Sequence, residues 1–81
     1  MHETSLIEFT LDAVEKKAKS MNIDRVGEIC IVAGRLAAVP RLLDKAFDIM
    51  KYNRPMFEHA KLTVDCREGE ELYIDYFTAE E

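Results

Sequence analysis

The spacing of apolar residues along this chain runs from helical to strand-like, back to helical, and then to strict alternation. That succession of periods restricts it to a small domain mixing helices and strands. Ile7, Leu11, Val14, Ala18 and Met21 recur at alternating intervals of four and three, one stripe of a helix, while Glu8, Asp12, Glu15, Lys16 and Lys19 fall outside it. Ser5-Leu6-Ile7-Glu8 has the S-x-x-E spacing of a capping box and predicts the helix start, and Asn22 predicts its stop. Arg25 to Ala33 has the β-branched density of a strand, with Ile29 and Ile31 on one face, Glu28 and Cys30 on the other, and Gly34 at its end. Val39-Pro40 opens a second helix, since proline at the first helical position loses no hydrogen bond. Its apolar set of Leu42, Leu43, Ala46, Phe47, Ile49 and Met50 is wide, which predicts a helix largely buried against the sheet. Asn53-Arg54-Pro55 ends it.

The last third alternates. Leu62, Val64 and Cys66 alternate with Lys61, Thr63 and Asp65, and Leu72, Ile74 and Tyr76 alternate with Tyr73, Asp75 and Phe77. The polar connection Arg67-Glu68-Gly69-Glu70-Glu71 between them predicts an antiparallel hairpin. The expected architecture is therefore α/β (α+β): a small single domain over residues 1–81, in the order α-β-α-β-β. Its three-stranded sheet is mixed and packed against two helices, and the helix-linked first two strands are candidates to run parallel.

Composition narrows the function. With 81 residues the chain has the length of one domain and a thin core. The 16 acidic residues against 11 basic ones argue against nucleic acid, whose phosphates the average surface would repel. The longest apolar run, Ile29 to Ala33, is far short of the ~20 residues that span a membrane. His2 and Glu3 stand where a signal peptide would carry positive charge, which reads as a cytoplasmic protein. The two cysteines, Cys30 and Cys66, make no disulfide framework and read as reduced thiols in strands, facing the core.

Met1-His2-Glu3 is the one segment with distinctive chemistry. A histidine at the second position lets one metal ion take the terminal amine, the deprotonated amide of His2 and the His2 imidazole, in unstrained five- and six-membered chelate rings. The bulky histidine also makes the preceding methionine a poor substrate for removal. Planar nitrogen donation with an open fourth position suits Ni(II) or Cu(II) rather than tetrahedral Zn(II), and Glu3 could add its carboxylate or its amide.

Met1-His2-Glu3-Thr4-Ser5-Leu6 resembles the M-H-E-x-S-L opening of the HypA family of hydrogenase nickel-insertion proteins. The resemblance extends over nearly the whole chain. Gly34-Arg35-Leu36 is similar to the family's G-x-L segment, and Leu42 to Met50, with Ala46-Phe47, to its second helix. Ala60 to Val64 looks like its A-x-L strand, and Glu70-Glu71-Leu72 like its return strand. The resemblance implies a non-enzymatic nickel metallochaperone with Ni(II) at Met1, His2 and Glu3. It would work with a partner GTPase and pass metal to the [NiFe] centre of a hydrogenase large subunit. The family's zinc-binding lobe, with two CxxC pairs, lies between the last two strands. Here Arg67 to Glu71 occupies that place, and Cys66 alone cannot build a four-ligand site, so no structural zinc is expected.

The remaining polar residues read more simply. His59 is a solvated loop histidine, and Glu68, Glu70 and Glu71 form a solvated tip. No Ser-His-Asp order, phosphate-cradling glycine loop or carboxylate pair stands out, which argues against an enzyme. The competing reading is a protein-interaction module that kept the scaffold and lost metal delivery, binding a partner or itself as a homodimer.

Overall fold

The computed structural model describes residues 3–81. Helix α1 spans Glu3–Ser20, strand β1 Val26–Gly34, helix α2 Pro40–Met50, strand β2 Lys61–Arg67 and strand β3 Leu72–Ala79. Two short 3₁₀ turns, Lys51–Asn53 and Pro55–Phe57, lie between α2 and β2. Element order, helix count and the mixed three-stranded sheet follow the expected architecture. Among the described residues, no helix is long and apolar enough to cross a membrane.

The predicted hairpin is absent. Strand order is β2-β1-β3, with β1 parallel to β2 and antiparallel to β3, so the last two strands flank β1 and do not pair with each other. The physical reason lies in β1. From Ile29 to Gly34 it is buried on both faces, and a strand buried on both faces reads as a continuous apolar run rather than an alternating one. Such a strand belongs in the centre of a sheet. The alternating strands, half-buried on one face only, take the edges.

With β1 central, the segment Glu68–Glu71 must pass over its C-terminal end, and it is bonded there. Gly34 N–H donates to the Glu71 carbonyl (2.6 Å), Arg35 N–H to that of Arg67 (2.9 Å) and Leu36 N–H to that of Gly69 (3.0 Å). A Cβ on Gly34 would fall on the Gly69 carbonyl oxygen and 2.9 Å from the Glu70 nitrogen. Gly69 itself turns the chain at φ 107°.

Helix α1 starts at Glu3, so Ser5 lies inside the first turn and is not the N-cap that the S-x-x-E spacing predicts. The C-terminal stop is at Asn22. Its φ of 60°, the bond from Ile23 N–H to the Ala18 carbonyl (2.9 Å) and that from Asn22 N–H to the Lys19 carbonyl (3.1 Å) form a Schellman motif. Ile23 then packs on the core.

The core lies between the helices and one sheet face. Ile7, Leu11, Val14 and Ala18 of α1 and Leu43, Ala46 and Phe47 of α2 meet Val26, Ile29, Ile31 and Ala33 of β1, closed off by Phe57. Arg54 ties the 3₁₀ turns to α1 through Asp12 (2.7 Å) and Glu15 (3.0 Å). Lys19 and Arg54 hold the Glu15 carboxyl below the usual carboxylate range. Helix α2 is less buried than its apolar content predicts, because Leu42 and Ile49 face outward at 39% and 62% exposure. The alternation of β3 breaks at a bulge. Cys30 pairs with Tyr76 and Ile31 with Ile74, leaving Asp75 unopposed, so Phe77 packs on the core while Tyr76 is exposed on the other face.

Candidate metal centre

Met1 and His2, the two residues expected to supply the nitrogens, lie outside the described residues. Glu3 opens α1, and one of its carboxylate oxygens accepts a hydrogen bond from the Val39 N–H (3.2 Å). Val39 is the N-cap of α2 and has no side-chain cap of its own, with Pro40 directly behind it. The Glu3 carboxylate thus sits at the positive end of the α2 macrodipole, where an anion is stabilised. One contact fixes the first residue of α1 against the entry to α2.

That contact makes a prediction. Glu3→Ala removes both the acceptor and the charge, with an expected cost of about 1 kcal/mol by thermal unfolding. Glu3→Gln keeps an acceptor and is expected to recover roughly half. Equal losses in the two variants would show that the hydrogen bond contributes nothing.

The chain crossing above β1 brings a second group to this end of the molecule. Glu70 and Leu72 line a common hollow with Ser5, Leu6, Phe9 and Ala37, so the acidic segment is a neighbour of the first turns of α1 rather than a free tip. The hairpin expectation concealed this. The available signal was the apolar run at Ile29–Ala33, which marks β1 as central and forces the connection across its end.

The other candidate ligands are elsewhere. His59 lies beside the N-terminal end of β1, with Nδ1 2.8 Å from Glu80, whose own N–H bonds Arg25 just before that strand. Nine residues of strand separate that end from Gly34, roughly 26 Å at the usual rise. His59 is therefore too far from Glu3 to share a metal ion with it in one molecule. It is exposed, as expected for a loop histidine. Both cysteines are free thiols. Cys30 is buried, and burial followed by the Asp75 carboxylate pushes its thiol up, so it stays protonated and is a poor ligand or nucleophile. Cys66 is exposed at the end of β2, contrary to the core-facing expectation, because only the earlier part of that strand, through Leu62 and Val64, packs on the core. Among the described residues, no group of three or more His, Cys, Asp or Glu side chains is placed to hold a metal ion.

Comparison with known proteins bears on this end of the chain. No curated protein matches it at a significant level. Among solved structures, the fold is similar to the solution structure of the Ni metallochaperone HypA from Helicobacter pylori, with a TM-score of 0.75 at 17% identity, covering 94% of this chain and 72% of that one. Residues 1–72 match the family described as "Hydrogenase/urease nickel incorporation, metallochaperone, hypA", a span that begins on the Met1-His2-Glu3 motif. The chain belongs to the HypA family.

Proposed function

We propose that this chain captures Ni(II) at its N-terminus, through the Met1 amine, the His2 amide nitrogen and the His2 imidazole, and hands it on in hydrogenase maturation. The observation that carries the reading is the family match, which includes the motif itself. The local structure is compatible with the donor set. With the Met1 amine as the chain's free end, no residue stands four positions before His2 to accept a helical hydrogen bond, so deprotonating the His2 amide breaks none. A cation at a helix N-terminus meets the unfavourable end of the macrodipole. The negative charge of the deprotonated amide and the Glu3 carboxylate in the first turn offset that.

In this reading Glu3 acts through position. Its carboxylate is engaged by the Val39 N–H, which leaves the metal to the three nitrogens and ties Glu3, the residue after them, to the entry of α2. The open fourth position of a planar site is where a recipient's donor enters. The chain then works as a single nickel-binding domain over residues 1–81, non-enzymatic and cytoplasmic. Its partners are the maturation GTPase and the hydrogenase large subunit. It binds no structural zinc, since only Glu68–Glu71 separates β2 from β3.

A short extension placed ahead of Met1 tests this without touching any side chain. It converts the amine into an amide and is expected to abolish stoichiometric Ni(II) binding measured by calorimetry. Full retention of binding by the extended protein would sink the N-terminal site.

A further inference from the structure

The hollow beside the first turns of α1 has a volume of about 560 Å³ and walls of Leu6, Phe9, Ala37 and Leu72. Phe9 is 71% exposed there, and Leu36, next to Ala37, is 77% exposed. Large apolar side chains grouped at an open concavity mark a contact surface more often than a chance exposure. Its rim is acidic. Glu70 lines it and Glu71 follows, and neither carboxylate has an ion-pair partner among the described residues, whereas Glu68 pairs with Arg35 (3.5 Å). The segment carrying these carboxylates accepts two backbone hydrogen bonds, Glu71 from Gly34 and Gly69 from Leu36, so the rim is formed in advance and little ordering is required on binding.

We propose that this hollow is a docking site for a basic amphipathic segment of a partner protein, with an apolar side chain seated against Phe9 and Leu72 and lysine or arginine against Glu70 and Glu71. Charge selects that occupant over a second copy of this chain, which carries a net charge of -5 and would bring more acid to an acidic rim. No metal ligand takes part, so the proposal stands or falls separately from nickel capture.

The test uses two short helical peptides, one of leucine and lysine at helical spacing and a counterpart with glutamate for lysine, titrated into the ¹⁵N-labelled full chain in the presence of a chelator. The lysine peptide is expected to shift the amides of Leu6, Phe9, Ala37 and Leu72, and to weaken in raised salt. The glutamate peptide is expected not to bind. Phe9→Ala, at an exposed position that leaves the core intact, is expected to weaken binding about tenfold. Glu70→Gln with Glu71→Gln is expected to remove most of the salt dependence. Shifts centred instead on Tyr73 and Tyr76 of the open sheet face, equal binding of both peptides, or no effect of Phe9→Ala would each overturn the proposal. So would concentration-dependent dimerisation of the free protein that Phe9→Ala abolishes, because the occupant would then be a second copy.

Discussion

Gly34→Ala is expected to lose about 3 kcal/mol or more of stability, by far the largest effect of removing a glycine in this chain. The added Cβ runs into a single peptide unit of backbone: the Gly69 carbonyl oxygen, its carbon at 2.5 Å and the Glu70 nitrogen at 2.9 Å. None of these can swing aside as a flexible side chain would. The crossing segment must lift instead, and with it go the bonds to the Glu71, Arg67 and Gly69 carbonyls that seal the end of β1. At roughly 4–8 °C per kcal/mol for a domain of this size, the melting temperature should fall by about 12–24 °C. Gly69→Ala is the informative comparison. Nothing lies within 4 Å of the added Cβ, so only the backbone penalty at φ 107° remains, about 1–2 kcal/mol. Equal losses at the two sites would mean that the close crossing over β1 is not a feature of the folded protein.

His2→Ala is expected to have the largest functional effect, a loss of Ni(II) affinity greater than about 100-fold, the upper end of what removing even an indirect partner of a metal ligand costs. In the proposed site the imidazole anchors the metal while the neighbouring amide loses its proton. Without it the six-membered chelate ring is gone, and the amide has no reason to ionise. Protons compete for the same nitrogens. The sign is therefore fixed: affinity falls as pH drops through the amine range near 7.7–8.0 and again through the imidazole range near 6.5. The metal-free variant is expected to melt within about 0.5 kcal/mol of the parent, because the buried core begins at Ile7. A calorimetric pH series that stays flat between pH 8 and pH 6 would contradict the nitrogen donor set.

The elements with strong local signals were legible in the sequence. The stripe from Ile7 to Ala18, the stop at Asn22 and Pro40 at the start of α2 all rest on rules that operate within a turn or two of chain, and the structure follows each of them. Pairing was not legible in the same way. Two alternating runs joined by a polar, glycine-bearing turn satisfy the local rule for a hairpin. The choice of partner was made instead by β1, whose unbroken burial requires a neighbour on each side. The bulge at Asp75 reverses the faces of Tyr76 and Phe77 with no local signal to announce it. The site divides along the same line. The proposed nitrogen donors at Met1 and His2 are a property of two adjacent residues and need no fold to be suggested. The tether from Glu3 to Val39 joins positions 36 apart, and the approach of Glu70 to α1 depends on the strand order, so neither is visible before the fold is known.

Whether the N-terminal nitrogens hold nickel is decided by titrating Ni(II) into protein with its native, unextended N-terminus beside His2→Ala. Absorbance and calorimetry are followed together at pH near 8. One equivalent is expected to bind with the absorption of planar four-coordinate nickel, and both signals are expected to be absent from the variant. Equal weak binding by the two proteins, with no planar-nickel band in either, would contradict the N-terminal site.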